Sequence, residues 1–156
     1  MVVGQRADVT VRNRVLHLPE SVLREVSKGR LHPAFGMDYF AIARNRFPWH
    51  LVPPRLVIGR PKYDNFLLAL ASACNVSVVD ATETLTALHQ TDEDGLYAGH
   101  RRNDSEYNRQ ILGKLPWPRG CEWIKCTEYR TTWLSFKCTT NDSFTHRRKR
   151  ISVKRR

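Results

Sequence analysis

Asp64, Asp80 and His89 are the residues whose types and positions could do chemistry. Asp64, with Asn65, falls in the first turn of an apolar run that begins behind Pro61; Asp80 ends the run Val76-Ser77-Val78-Val79; His89 ends an alternating stretch that starts at Thr82. In α/β sheets, ligands bind at the carboxyl ends of strands and at the amino ends of the helices facing them. A carboxylate and an imidazole brought to one such rim can act as a general base or hold a metal ion. Each residue also has a structural reading. An Asp in a helix's first turn is favoured by the macrodipole and can bond exposed amides. Asp80 before Ala81-Thr82 can make an Asx turn, and a His at a strand end can be a satisfied structural group. Tyr39, Phe40 and Tyr63 read as core or rim packing residues before ligand-stacking ones.

The elements that must carry these residues follow from local patterning. Asp38 to Ala43 is a short apolar and aromatic run that suits a buried strand. Phe47 to Pro54 holds three prolines and forms a structured loop, with a brief extended segment over Arg55 to Ile58. Gly59-Arg60-Pro61 is a turn that preorganises a helix over Lys62 to Cys74, apolar nearly all round and so buried on most sides. Asn75 can take the left-handed conformation that stops it. Val76 to Asp80 and Thr82 to His89 then read as two strands, and Gln90 to Arg102 as a polar loop. Asn103, three residues before Glu106, makes a capping-box-like start for a helix ending at Gly113. Upstream, Pro19 to Lys28 predicts a short amphipathic helix through Val22, Leu23 and Val26. Downstream of a turn-rich linker at Pro116 to Gly120, Glu122 to Phe136 predicts one or two short strands.

Composition sets the outer limits. A chain of 156 residues with 41% hydrophobic content can bury a real core. No apolar run reaches the roughly 18 residues of a membrane helix, and Arg6 and Asp8 stand where a signal peptide carries its apolar stretch. The formal charge is +11, and Lys137 to Arg156 contributes eight bases against one acid, Asp142. His146 to Arg156 is therefore expected to be a disordered basic tail, able to bind polyanions or to serve in nuclear import. Cys74, Cys121, Cys126 and Cys138 do not make a disulfide scaffold in a chain this size; they read as ordinary thiols, with a loose zinc spacing through His146 as the other reading.

An ordered series of motifs adds a resemblance. His32-Pro33-x-x-Gly36-x-Asp38-Tyr39-Phe40 is followed by Pro53-Pro54, then by Ile58-Gly59-Arg60-Pro61-x-x-Asp64-Asn65. Val79-Asp80-Ala81-Thr82 and Thr86-Ala87-x-His89-Gln90 come next, and Glu106 and Asn108 precede Ile111-Leu112-Gly113. Together these resemble the C-terminal, acceptor-side half of a glycosyltransferase-like family with a nucleotide-diphospho-sugar transferase (GT-A type) fold. The resemblance implies an α/β unit of a few strands packed by helices, with Asp64 as the base that deprotonates the attacking hydroxyl. Arg60, Asn65 and Asp80 are then substrate-binding candidates, Arg60 as a forked partner for phosphate. It implies that His89 helps hold a divalent cation, manganese or magnesium, with a nucleotide sugar and a glycan or other hydroxyl acceptor as partners. Tyr63 stands where Trp is common in that family. Such enzymes also carry an N-terminal βαβ half and an Asp-x-Asp motif. Some thirty residues precede His32, and Asp92-x-Asp94 lies after His89, so the expectation is a fragment or reduced relative of the enzyme. The organisation expected is a lead-in over 1–31, the α/β unit over 32–113, a small appendix over 114–145 and the tail over 146–156. The competing class is a small basic nucleic-acid-binding or nuclear protein without catalytic activity, resting on the tail and Arg101-Arg102.

Overall fold

The structure is a computed structural model that describes residues 1–9, 20, 29–91, 105–114, 122–139 and 145–155, with the backbone alone for 90, 134–139 and 145–150. It is an α/β arrangement built on a mixed seven-stranded sheet, with two α-helices among the described residues. The strands are β1 (Val2–Val9), β2 (Arg30–Leu31), β3 (Met37–Ala41), β4 (Val79–Asp80), β5 (Ala87–Gln90), β6 (Tyr129–Thr139) and β7 (Thr145–Arg155). The helices are α1 (Tyr63–Ala73) and α2 (Tyr107–Leu112).

β1 organises the sheet. It pairs antiparallel with β2 and β3, and parallel with β4 and β5. Beyond β4 the order continues to β6 and β7. Because side chains alternate along a strand, the buried Val3, Ala7 and Val9 share one face of β1, and Gly4, Arg6 and Asp8 share the other. The apolar face joins a core of Val3, Met37, Phe66, Leu67, Leu68, Leu70, Val78, Leu112 and Ile124. Burial of a side chain such as Leu68 stabilises the fold by roughly 1.5–3 kcal/mol.

α1 supplies most of that core, as its apolar run requires: every residue from Asn65 to Ala71 is buried. It begins two residues later than Pro61, because Lys62 takes a left-handed conformation at φ 76°. It stops as expected at Asn75, φ 55°, where the Val76 amide donates to the Ala71 carbonyl and the Asn75 amide to the Ser72 carbonyl.

Several expectations change. The strand over Val76 to Asp80 shrinks to β4, and Thr82 to Leu85 forms a turn in which the Thr84 and Leu85 amides donate to the Ala81 carbonyl, so β5 starts only at Ala87. Within the segment expected to be extended, Arg55 and Ile58 lie in turns, and the Val57 backbone bonds to the Asn108 side chain. The expected disordered tail is strand β7, paired with β6 over eleven residues from Thr139↔Thr145 to Tyr129↔Arg155. A neighbouring strand satisfies its backbone, which the charge run alone does not reveal. Of the one or two short strands expected over Glu122 to Phe136, one is present, the eleven-residue β6, which starts at Tyr129 after a 3₁₀ turn at Ile124–Cys126. Cys126 is disulfide-bonded, against the reading of ordinary thiols, whereas Cys74 is free. As a half-cystine it has no proton to donate, so the 3.0 Å approach of its Sγ to the Trp123 carbonyl is a contact only. The sheet runs through all four of the segments into which the sequence divides the chain. The helix expected over Pro19 to Lys28, apart from Glu20, lies outside the described residues, as do Asp92, Asp94, Arg101, Arg102, Asn103 and Cys121. No helix among the described residues is long and apolar enough to cross a membrane.

Candidate functional site

A continuous ion network occupies the polar face of β1. Arg6, its side chain 10% exposed, donates from Nε to Asp8 Oδ1 at 3.0 Å and from Nη1 to Asp38 Oδ1 at 2.9 Å. One guanidinium thus bridges two carboxylates, the fork geometry that suits Arg over Lys. Each carboxylate also takes an imidazole. His32 Nδ1 lies 2.6 Å from Asp8 Oδ2, and His89 Nδ1 lies 2.7 Å from Asp38 Oδ2. An ionised carboxylate only accepts, so both rings donate from Nδ1, and a neutral ring keeps its lone pair on Nε2.

Local backbone features bring these groups together. Gly4 pairs with Tyr39 and Gln5 with Met37, so Asp38 is the extra residue of a β-bulge in β3. A bulge re-aims its side chain, and here it turns the Asp38 carboxylate toward Arg6 and His89. Gly4 leaves room for the Tyr39 phenol, whose hydroxyl oxygen would lie 1.9 Å from a Cβ at that position, and Tyr39 donates to the Leu85 carbonyl at 2.7 Å. Gly36 does the same for His32, whose Cδ2 would lie 2.2 Å from its Cβ. That contact gives the His32-Pro33-x-x-Gly36 spacing a physical reason. Arg6 Nη2, 3.4 Å from His32 Nε2, rests against the same imidazole.

The electrostatics follow from this packing. For Asp8, burial acts to raise the carboxyl's pKa, but the hydrogen bonds and charges of His32 and Arg6 outweigh it and hold the group below its ordinary range. Burial pushes the Tyr39 phenol up to about 12, with the negative charge of Asp80 adding to it.

The sequence-predicted residues divide by their surroundings. Asp64 lies in the first turn of α1, where Oδ2 accepts from the Met37 amide at 3.3 Å and Oδ1 from the Asn65 amide at 2.9 Å. Burial raises its pKa, opposed by those amides and by the charge of Arg6. The Met37 contact places Asp64 beside the residue that precedes Asp38, so Asp64 borders the network, whereas His89 is part of it. Asn65 is buried and spends its amide on the Phe35 and Glu122 carbonyls, tying two loops to α1. Asp80 is buried too, and its Oδ1 accepts from the Thr82 amide and hydroxyl, which is the Asx-turn arrangement. Arg60 donates from Nη1 to the Gly59 carbonyl at 3.3 Å on the approach to α1.

His89 Nε2 is buried and has no hydrogen-bond partner. With Nδ1 fixed by Asp38, that atom is set as a proton acceptor or a metal ligand. No group of three or more His, Cys, Asp and Glu suited to a metal ion occurs among the described residues.

Sequence reasoning missed Arg6 and Asp8. Their signal was available: two charges two apart within Val2-Val3 to Val9-Thr10-Val11, a β-branched stretch that places both on one strand face. It named His32 only as part of a resemblance, and read Asp38 and Tyr39 apart from that only as strand and packing residues. Comparison with protein-family models, curated proteins and solved structures finds no match to the chain.

Proposed function

We propose that the protein is the acceptor-side part of a transferase that moves a sugar from a nucleotide-sugar donor to a hydroxyl acceptor, a glycan or another alcohol. The observation that carries this reading is the placement of the Asp64 carboxyl. It is held at the start of a buried helix, its proton affinity is raised by burial, and the Met37 amide ties it to the edge of the His32-Asp8-Arg6-Asp38-His89 network. Asp64 takes the proton of the attacking hydroxyl as the bond between sugar and diphosphate breaks. That timing needs only a modest rise in pKa, because the hydroxyl becomes acidic as it attacks.

The other residues act around that step. Arg60 reaches the leaving diphosphate from the turn before α1, where a guanidinium matches two phosphate oxygens at once. Asn65 and Asp80 hold the rim through their bonds to backbone and to Thr82. A manganese or magnesium ion, if bound, would take His89 Nε2, whose tautomer Asp38 fixes, as a protein ligand and its other ligands from the diphosphate and water. Such an ion would neutralise charge on the leaving diphosphate.

The test measures nucleoside diphosphate release from a panel of UDP- and GDP-sugars with manganese, alongside the melting temperature. Donor should raise the melting temperature, and Asp64→Asn should lose transfer while keeping that rise. A panel in which no donor stabilises the protein and none is turned over defeats the reading.

A further inference from the structure

The asparagines divide by what the fold asks of them. Asn65 and Asn108 are buried, and both commit their side-chain amides to backbone groups of neighbouring loops. Neither has Ser or Thr two residues further on. Asn75 is the opposite case. It is exposed, its side-chain amide bonds to nothing among the described residues, and the exposed Ser77 follows it across Val76. Asn-x-Ser with x other than Pro is the acceptor pattern for asparagine-linked glycosylation, in which the modifying enzyme reads the amide together with the hydroxyl two residues later. The same pattern recurs at Asn103-Asp104-Ser105 and Asn141-Asp142-Ser143, whose asparagines lie outside the described residues.

The local structure suits that modification. Asn75 follows α1 in the left-handed conformation, φ 55°, and its backbone amide donates to the Ser72 carbonyl at 3.2 Å. Stopping a helix in this way accounts for an Asn at this position but places no demand on Ser77. Val76 packs against the core, so the middle residue of the pattern anchors the turn while Asn75 and Ser77 on either side stay exposed. The Ser77 carbonyl accepts from the Met1 amino group at 2.7 Å, a bond that does not involve the Ser77 hydroxyl. A glycan on Asn75 therefore leaves the folded chain from an exposed turn. Asn75 is also at the far end of α1 from Asp64, roughly 16 Å along the axis at 1.5 Å per residue, so a glycan there leaves the amino end of that helix open. The chain's redox state is an independent observation. Cys126 is disulfide-bonded, and such bonds persist in oxidising compartments, among them the endoplasmic reticulum lumen where asparagines are glycosylated.

We infer that Asn75 is the acceptor of an asparagine-linked glycan. Its amide nitrogen forms a bond to the anomeric carbon of a lipid-linked diphospho-oligosaccharide. The bond from that carbon to the diphosphate oxygen breaks with its electron pair, the lipid diphosphate leaves, and the amide gives up one proton to a base of the modifying enzyme. The assignment is independent of the transferase reading and stands or falls apart from it. The experiment expresses the full chain in cultured animal cells and treats the purified protein with peptide-N-glycosidase F, which releases such glycans and converts the asparagine that carried them to aspartate. Gel mobility reports the release, and peptide mass spectrometry locates the conversion. Conversion should be found at Asn75. Ser77→Ala keeps Asn75 and its left-handed turn but removes the hydroxyl, and should abolish conversion at Asn75; Ser77→Thr restores a hydroxyl and should retain it. Both variants should melt within a few degrees of the parent, because the Ser77 side chain is exposed and its carbonyl bond is unchanged. The inference is overturned if Asn75 is unmodified in the parent, including the case in which conversion is confined to Asn103 or Asn141, or if Ser77→Ala leaves conversion at Asn75 unchanged.

Discussion

Asn108→Ala tests how the loop before α1 is held. The Asn108 side chain is fully buried. Its Oδ1 accepts from the Val57 amide at 2.9 Å, and its Nδ2 donates to the Val57 carbonyl at 2.8 Å and to the Arg60 carbonyl at 3.3 Å. One amide from α2 thereby clips the turn that contains Gly59, at φ +77°, and leads into Asp64. Truncation removes three hydrogen bonds worth about 1 kcal/mol each. Alanine's better helix propensity returns roughly 0.5 kcal/mol. The net loss is about 2–3 kcal/mol, against a stability of ~5–15 kcal/mol for a domain of this kind. A second variant separates bonding from shape. Asn108→Asp keeps the volume and the acceptor for the Val57 amide, but it turns oxygen toward two carbonyls and buries an unpaired charge, at a cost of about 3–5 kcal/mol. Burial raises that carboxyl's pKa, so the cost is full at neutral pH and relaxes as pH falls through the raised value. Urea denaturation followed by tryptophan fluorescence at neutral and mildly acidic pH measures both. A loss below about 0.5 kcal/mol for the Ala variant, within the range of surface substitutions, refutes the reasoning. So does an Asp variant as stable as the Ala variant at neutral pH.

Three further outcomes follow from the network and its neighbours. Gly4→Ala should displace the Tyr39 ring and cost about 1–3 kcal/mol, and the same change made on Tyr39→Ala should cost much less; additive losses in chemical denaturation would show that the two residues do not meet. Asp8 has a folded pKa below its ordinary 3.8, so its contribution to stability is present above that value and is lost as pH falls through the folded pKa. Asp8→Asn should flatten this acid limb, and parallel acid curves for the two proteins would contradict the pairing with His32 and Arg6. Tyr39 should ionise near 12 by ultraviolet absorbance, and Asp80→Asn should lower that value. Because the unfolded phenol ionises near 10, stability should decline as pH rises between the two values.

Much of the scaffold was present in local sequence. The apolar run behind Pro61 predicts a buried helix, Asn75 predicts its left-handed stop, and Asp38 to Ala43 predicts β3; each depends on a few adjacent residues whose periodicity and capping preferences act within one or two turns. The Asx turn at Asp80 belongs to the same class, since its partner is two residues away. The candidate site belongs to another. Arg6 reaches Asp38 across 32 residues, His32 reaches Asp8 across 24, and His89 reaches Asp38 across 51. No period or cap encodes those meetings. They arise from the pairing of β1 with β2, β3 and β5 and from a one-residue bulge in β3, and a register slip by one residue would send Arg6 and Asp8 to the apolar face. The basic C-terminal segment makes the same point. Its charge was evident in the sequence, but whether its backbone stays with water or joins β6 depends on a partner strand, which only the tertiary structure supplies.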